Sequence, residues 1–364
     1  MKRTKILALA LAVVMICSLF AGCSLWEKTI IEIDDVKISE NVYTAALNYA
    51  NALIEQQLGT KLNDYLDMEI FEGGITGAQY LKDETDLLLC ELALAEIIAD
   101  DYGIKLTKEE EKITEDKKQS QIDYIGGRKE FLQALEQSGI NEEYYDFSLR
   151  SDSLFAKIYQ ELFLGDGELA LTADQVADKL LEGNYVRVKH VLVMGKSTDA
   201  DFNEKKALAE DIAKRAKNGE DFEELINTYG EDPGMESNPD GYLFDKDGYT
   251  ADGTGQMVAE FTEASNALEV GGVSGIVQSE HGFHIIKRYP FTREYIIENK
   301  TTYESMVATE AFTAKMQEYS DKVEIKRTSN YDKVDVHKAL GVEKKLGVEE
   351  HYEGDGHDHS TEAE

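Results

Sequence analysis

Residues 255–287 read GQMVAEFTEASNALEVGGVSGIVQSEHGFHIIK, and their pattern indicates the fold of the middle of the chain. It predicts a short helix, a strand over 273–278, a tight turn and a second strand over 283–289. His281 and His284 flank the turn glycine and the residue after it. They do not suggest a zinc site, because residues three apart in an extended chain point to opposite faces and no cysteine completes a tetrahedron.

The residues around this segment predict a compact α+β unit over 183–291. Upstream, YVRVKHVLVM at 185–194 alternates and is rich in β-branched residues, which predicts a strand that carries His190. Residues 204–230 predict two helices that are separated near Gly219. All three prolines of the chain, Pro233, Pro239 and Pro290, lie at or near this unit, and both flanks lack proline. Composition therefore marks the boundaries of the unit.

Both flanks predict helices. In the N-terminal flank, residues 23–182, a helix is expected to begin after the N-cap Ser39 and to end at Gly59, and TIIEIDDVKIS at 29–39 predicts a strand and turn before it. In the C-terminal flank, residues 292–330, one apolar helix has nowhere to bury its face alone. We therefore expect it to pack on the N-terminal helices, so that one helical domain is built from both ends of the chain.

The first 22 residues predict a secretion signal. Lys2, Arg3 and Lys5 precede an apolar run that is short for a membrane span. The run ends at LFAGC, residues 19–23, which resembles a bacterial lipobox; this resemblance implies cleavage before Cys23 and attachment of lipid to its sulfur. The alternative is an ordinary signal with a chance cysteine. The lipid reading predicts a protein anchored on the extracytoplasmic face of a membrane.

Charge and cysteine content exclude several classes of function. The formal net charge of −34 repels phosphates, so nucleic acid is not an expected partner. Cys90 is the one cysteine left after Cys17 and Cys23 are accounted for, and it lies in an apolar helical stretch typical of a core thiol. Residues 331–364 are expected to form a disordered acidic tail. Its histidines are either solvated or a weak site for Zn²⁺ or Ni²⁺.

Three motifs in order resemble the parvulin-type peptidyl-prolyl isomerases. They are VKHVLV at 188–193, AKNGEDFEELINTYGEDPG at 216–234 and the segment at 255–287. The whole chain resembles lipid-anchored foldases of the PrsA type and, more distantly, the SurA chaperone. The resemblance implies an α+β fold, with a parvulin-type domain inserted in an all-α chaperone domain built from N- and C-terminal segments.

The resemblance also implies the site residues. His190 and His284 would lie side by side on neighbouring strands, either fixing the floor of the site or transferring protons. Met257 and Phe261 would form the proline pocket, although ordinary core packing is the alternative. Asp232 would lie near the substrate carbonyl, unless it is a solvated turn acid. Further substrate contacts are expected from Leu192, Ser279 and, in NPDGYLF at 238–244, Leu243.

These residues predict a foldase that isomerises X-Pro bonds in unfolded or partly folded secreted proteins and holds those clients. No cofactor or metal is expected for this chemistry. The alternative is a holdase with a degenerate parvulin domain, because NPDGYLF departs from the GGDLG sequence usual in the family.

Overall fold

The computed structural model describes residues 28–71 and 73–343. The predicted signal, Cys23 and the histidine-containing end of the tail lie outside these residues. The described residues divide into two compact units, one formed by those up to 157 and from 318 onwards and the other by residues 158–317. No helix in the described part of the chain is both long and apolar enough to cross a membrane.

The described chain is mostly helical, with short strands in both units. The helices are α1 (Glu40–Leu58), α2 (Gly77–Asp101), α3 (Lys108–Ile125), α4 (Arg128–Gln137), α5 (Glu142–Ile158), α6 (Ala173–Glu182), α7 (Phe202–Lys217), α8 (Phe222–Tyr229), α9 (Pro233–Ser237), α10 (Ala259–Asn266), α11 (Arg293–Glu298), α12 (Lys300–Ser320) and α13 (Val336–Leu340). The strands are β1 (Thr29–Ile33), β2 (Val36–Ser39), β3 (Glu69–Phe71), β4 (Ile75–Thr76), β5 (Val186–Met194), β6 (Tyr242–Phe244), β7 (Val277–Ser279), β8 (Gly282–Tyr289) and β9 (Ile325–Arg327). The α+β fold class is confirmed.

The first unit packs α1 and α2 around a small sheet. The predicted start and end of α1 are confirmed, because the Ser39 hydroxyl accepts a hydrogen bond from the backbone of Val42 at 3.2 Å and Gly59 ends the helix with φ of 66°. The sheet has the strand order β2-β1-β9, with both pairings antiparallel. The part expected to be all-α therefore contains a sheet, which β9 completes from the far end of the chain.

The segments after residue 291 differ from the prediction in two ways. Most of α12, up to residue 317, belongs to the second unit and not to the unit of α1 and α2, so the expected division into domains is wrong. The expected packing on the N-terminal flank is found, because Tyr303 packs with Val176 and Leu180 of α6. The apolar face of α12 therefore packs partly on α6, within the second unit. The expected start of the disordered tail at residue 331 is wrong, because Tyr331 is buried in the core of the first unit and contacts Tyr43 edge to face.

The second unit is organised by an antiparallel sheet of order β6-β5-β8-β7. Odd-numbered residues of β5, such as Val191 and Val193, pack against α7 and α8. Even-numbered residues face the other side, where Val188 packs with Phe261 of α10. Alternation along a strand thus separates a purely structural face from the face that carries His190. The predicted strand over 273–278 is shorter in the structure, where β7 covers 277–279.

Candidate active site

Two buried histidines form the floor of the site. β5 and β8 are antiparallel neighbours, and their register places Leu192 opposite His284 and His190 opposite Ile286. The two Nδ1 atoms lie 3.0 Å apart, and the rings stack with an interplanar angle of 16°. His190 and His284 are 3% and 4% exposed. At this distance one Nδ1 donates a hydrogen bond and the other accepts it.

Asp232 fixes the orientation of this pair. Its side chain caps α9, with Oδ1 accepting from the backbone N–H of Gly234 at 2.9 Å. Oδ2 lies 2.6 Å from His190 Nε2 and accepts from the Tyr242 hydroxyl at 2.7 Å. The hydrogen bond from His190, with those from Tyr242 and Gly234, holds the pKa of Asp232 well below its usual range against the opposing effect of burial. Asp232 is therefore an ionised carboxylate at neutral pH.

An ionised carboxylate accepts only, so His190 donates from Nε2. In its neutral form His190 then accepts at Nδ1, and His284 donates from its own Nδ1. The remaining His284 atom, Nε2, accepts from the Ser279 hydroxyl at 2.7 Å. All these hydrogen bonds point the same way, from Ser279 towards Asp232.

His284 is neutral because of its surroundings. Burial, followed by the proximity of His190 and His281, lowers its pKa to about 3. His284 therefore contributes a polar but uncharged imidazole to the floor.

A cavity of about 740 Å³ opens above this floor. Its apolar wall contains Leu192, Met257, Val258 and Phe261. The Phe261 ring meets the rings of His190 and His284 edge to face, with centroids 5.0 and 5.3 Å apart. Phe261 is buried, whereas Met257 is half-buried and accessible from the cavity. Polar and charged residues line the mouth: Lys196, Asp199, Lys205, Glu280 and His281.

This geometry coincides with a match to a known family. Residues 175–289 match the model of the PPIC-type PPIase domain. The second unit carries a parvulin-type domain.

The similarity extends beyond the parvulin-type domain to foldases of the PrsA type. Foldase protein PrsA 3 of Bacillus cereus is 31% identical over 202 residues, which cover 55% of this chain and 59% of that protein. Foldase protein PrsA of Staphylococcus epidermidis is 29% identical over 245 residues, which cover 63% of this chain and 68% of that protein. The chain is thus PrsA-like, and it matches little more than half the length of its Bacillus relative.

The likeness to solved structures is weaker. The crystal structure of PrsA from Bacillus subtilis has 22% sequence identity and a TM-score of 0.33, covering 69% of this chain and 91% of that chain. This TM-score is low, so the likeness does not establish a shared overall fold.

The parvulin-type domain brings together all but two of the expected site residues in one cavity. Leu243 is the correction: it packs away from the cavity with Leu180 and Ile296. Successive strand residues point to opposite faces, so the neighbouring Tyr242 faces the cavity instead. Ser279 does not line the cavity either, but its hydroxyl holds His284.

Tyr242 is the residue that the sequence interpretation missed. In the structure Val186 and Val188 of β5 share a face with His190, and β6 pairs Phe244 with Val186 and Tyr242 with Val188, which puts Tyr242 on that face. The register between β5 and β6 is what decides between Tyr242 and Leu243, and it is not visible in NPDGYLF alone.

No group of three or more histidine, cysteine, aspartate or glutamate residues suited to a metal occurs within residues 28–71 and 73–343. His281 belongs to no such group, and its side chain is 58% exposed at the mouth of the cavity. The histidines of the last 14 residues lie outside the described range.

Proposed function

We propose that the parvulin-type domain catalyses cis/trans isomerisation of X-Pro peptide bonds in secreted proteins. The observation that carries the proposal is an apolar cavity, walled by Met257 and Phe261, over two buried, hydrogen-bonded histidines beside an ionised aspartate. The cavity has the polarity suited to a prolyl ring, and its charged mouth leaves room for the peptide on either side.

The energetics of the X-Pro bond favour such a cavity. Rotation about an amide bond has a barrier of about 18–20 kcal/mol because resonance is lost. The planar amide is more charge-separated than the twisted one, so an apolar environment disfavours the planar ground state relative to the transition state. The fixed carboxylate of Asp232 adds a constant field near the rotating bond. No covalent intermediate or proton transfer is required.

A protease-coupled assay with a proline-containing tetrapeptide tests the proposal. We expect the purified protein to accelerate isomerisation, and Met257→Ala to raise KM because the apolar wall loses contact area. Met68→Ala is the matched control, since Met68 is 56% exposed and lies in the first unit. No acceleration by the wild-type protein would contradict the proposal.

We further propose that the first unit holds unfolded clients. Apolar side chains that are at least 37% exposed cluster in sequence around β3 and β4: Leu58, Tyr65, Met68, Phe71 and Ile75. Phe71 and Ile75 are cross-strand partners, and Phe71 also contacts the ring of Tyr80 at 5.2 Å. Exposed apolar clusters of this kind fit extended apolar segments of a partner chain.

Suppression of aggregation of a chemically denatured test protein separates holding from isomerisation. Met68→Ser with Phe71→Ser is expected to weaken suppression and to leave peptide isomerisation unchanged. Ile113→Ser is the control, because Ile113 is 49% exposed on α3 and outside the cluster. Equal suppression by both variants would contradict this site. Suppression without any isomerase activity in the wild-type protein would favour the holdase alternative.

The leader sequence supports a lipid anchor on Cys23 and a position on the extracytoplasmic face of the membrane. Two or three acyl chains hold a soluble domain firmly on a bilayer. Metabolic labelling with palmitate and cell fractionation test this: Cys23→Ser is expected to lose label and to leave the membrane fraction. Labelling of Cys23→Ser at the wild-type level would contradict the anchor.

The acidic tail supports at most weak binding of divalent metal through its histidines. Calorimetry with Zn²⁺ on the full chain and on a chain that ends at residue 343 tests it. Equal Zn²⁺ uptake by the full and the shortened chain would exclude the tail as the metal site.

A further inference from the structure

The hydroxyl of Tyr242 lies close to the backbone of Gly234. Tyr242 stands on β6, opposite Val188 of β5, and its hydroxyl reaches across to Asp232 Oδ2 at 2.7 Å. The Asp232 carboxylate is held on the other side by the backbone N–H of Gly234. Three donors thus bind one carboxylate: His190 Nε2, the backbone N–H of Gly234 and the Tyr242 hydroxyl.

The hydroxyl is placed there by the absence of a side chain at residue 234. A Cβ atom at Gly234 would collide with the Tyr242 hydroxyl and would lie 3.1 Å from Asp232 Oδ1. The φ angle of Gly234 is not in the left-handed region. The backbone thus permits alanine there, and space for the phenol is what glycine provides.

The backbone that carries Tyr242 is also held in place. Gly241, with φ of 94°, lies so close to β5 that a Cβ atom there would be 2.5 Å from the carbonyl oxygen of Val188. The buried guanidinium of Arg187 donates to the carbonyl oxygen of Asp240 at 3.1 Å. Both contacts anchor the backbone that enters β6, so the phenol has little freedom to leave Asp232.

We propose that Tyr242, in the space left by Gly234, is a positioning residue that holds Asp232 against His190 for catalysis. Asp232 Oδ2 receives two donors, and only His190 belongs to the histidine pair. Without the phenol, the carboxylate keeps the Gly234 hydrogen bond but gains freedom to rotate away from His190 Nε2. This inference rests on the proposed isomerase function and names the residue that orders its charged group.

The test compares Tyr242→Phe with Tyr249→Phe, a matched control, since Tyr249 is 56% exposed in the same unit. The first readout is the downfield proton NMR signal of His190 Nε2–H, which reports its hydrogen bond to Asp232. We expect faster exchange of this proton with water in Tyr242→Phe and no change in Tyr249→Phe. The second readout is isomerisation of a proline-containing peptide.

A positioning role predicts that kcat falls by about 3- to 10-fold, as for one hydrogen bond acting through a neighbour, with KM unchanged. Gly234→Ala is expected to reproduce both effects by displacing the phenol. The double variant Gly234→Ala with Tyr242→Phe should be no worse than the worse single variant, because both changes remove the same contact. Wild-type circular dichroism in each variant shows that the fold is kept.

Two results would overturn the inference. One is an unchanged His190 signal together with wild-type kcat in Tyr242→Phe. The other is an unchanged signal with a loss of about 100- to 1000-fold in kcat, which is typical of a donor that contacts the reacting carbonyl itself. If instead the wild-type protein has no isomerase activity while the His190 signal responds as expected, the proposed function fails and the role of Tyr242 in holding Asp232 stands.

Discussion

Replacement of Asp232 by asparagine should reverse the hydrogen bonds beneath the cavity. The change keeps the size of the side chain and removes its charge. The backbone N–H of Gly234 can only donate, so the asparagine carbonyl oxygen must take the Oδ1 position. The amide NH₂ then faces His190 Nε2 and the Tyr242 hydroxyl, where the carboxylate accepted two hydrogen bonds.

His190 must respond by changing tautomer. Its Nε2 becomes an acceptor and its Nδ1 carries the proton, so the Nδ1 of His284, 3.0 Å away, becomes an acceptor as well. His284 then donates from Nε2 to the Ser279 hydroxyl, at 2.7 Å. One substitution at the edge of the site thus changes the protonated nitrogen in both rings.

The cost follows from the charge that these hydrogen bonds lose. A hydrogen bond to a charged group contributes about 1.5–3 kcal/mol. Loss of one such interaction in the transition state lowers kcat/KM by about 10- to 100-fold, since about 1.4 kcal/mol corresponds to a factor of ten. The fold should persist, because each nitrogen and oxygen keeps a partner.

Two measurements check this reasoning. Nitrogen-15 NMR of the imidazoles identifies the protonated atoms, and a peptide assay gives kcat/KM. Asp247→Asn is the control, because Asp247 is exposed in a loop and makes no contact with the histidine pair. Unchanged tautomers in Asp232→Asn would refute the assigned direction of the hydrogen bonds. Wild-type kcat/KM with reversed tautomers would refute a catalytic role for the charge.

Three further predictions concern stability and reactivity. Phe261→Ala should destabilise the second unit by about 3–5 kcal/mol, since a buried ring that contacts both histidines is lost, and faster hydrogen exchange of β8 amides measures this; unchanged protection would contradict it. The pKa of His284 is about 3 in the folded chain and 6.5 ordinarily, so the unfolded state alone binds its proton between these values. This contribution to the free energy of unfolding is complete above pH 6.5 and is lost as the pH falls, by about 2 kcal/mol at pH 5. Urea unfolding above pH 6.5 and at pH 5 should show a smaller loss of stability for His284→Gln than for the wild-type protein. Equal losses would exclude His284 as the cause. Burial raises the pKa of the Cys90 thiol to about 11. Iodoacetamide at pH 8 should therefore leave the thiol unmodified in the folded protein and label it in urea, as measured by mass spectrometry. Labelling at equal rates in both conditions would show that Cys90 is accessible in the folded protein.

The local parts of the site could be predicted because each depends on a short motif. VKHVLV and GFHIIK each carry a histidine within a strand, and GEDPG puts Asp232 ahead of a proline that begins a helix. Met257 and Phe261 precede and enter a short helix, and four-residue spacing brings their side chains near each other. These features need little information about distant residues.

What could not be predicted depends on pairing between distant segments. The choice between Tyr242 and Leu243 follows from the register of β6 on β5, which the sequence of β6 does not contain. The apolar stripe of α12 predicted packing on the N-terminal flank, but not that its partner α6 belongs to the same unit as the parvulin-type domain. The three residues of β9 are too few to carry a strand pattern, so its pairing with β1 was not foreseen.

The pairing of β1 with β9 has a consequence for how the chain is made. The Thr328 hydroxyl donates to the carbonyl of Thr29, 299 residues earlier. Ribosomes synthesise the N terminus first. One edge of β1 therefore has no β9 to pair with until nearly the whole polypeptide has been synthesised. An open strand edge invites pairing with other chains. Prompt compaction of residues 158–317 would shorten the distance across which the late strand must find the early one, so the order of synthesis favours completion of the second unit before the first.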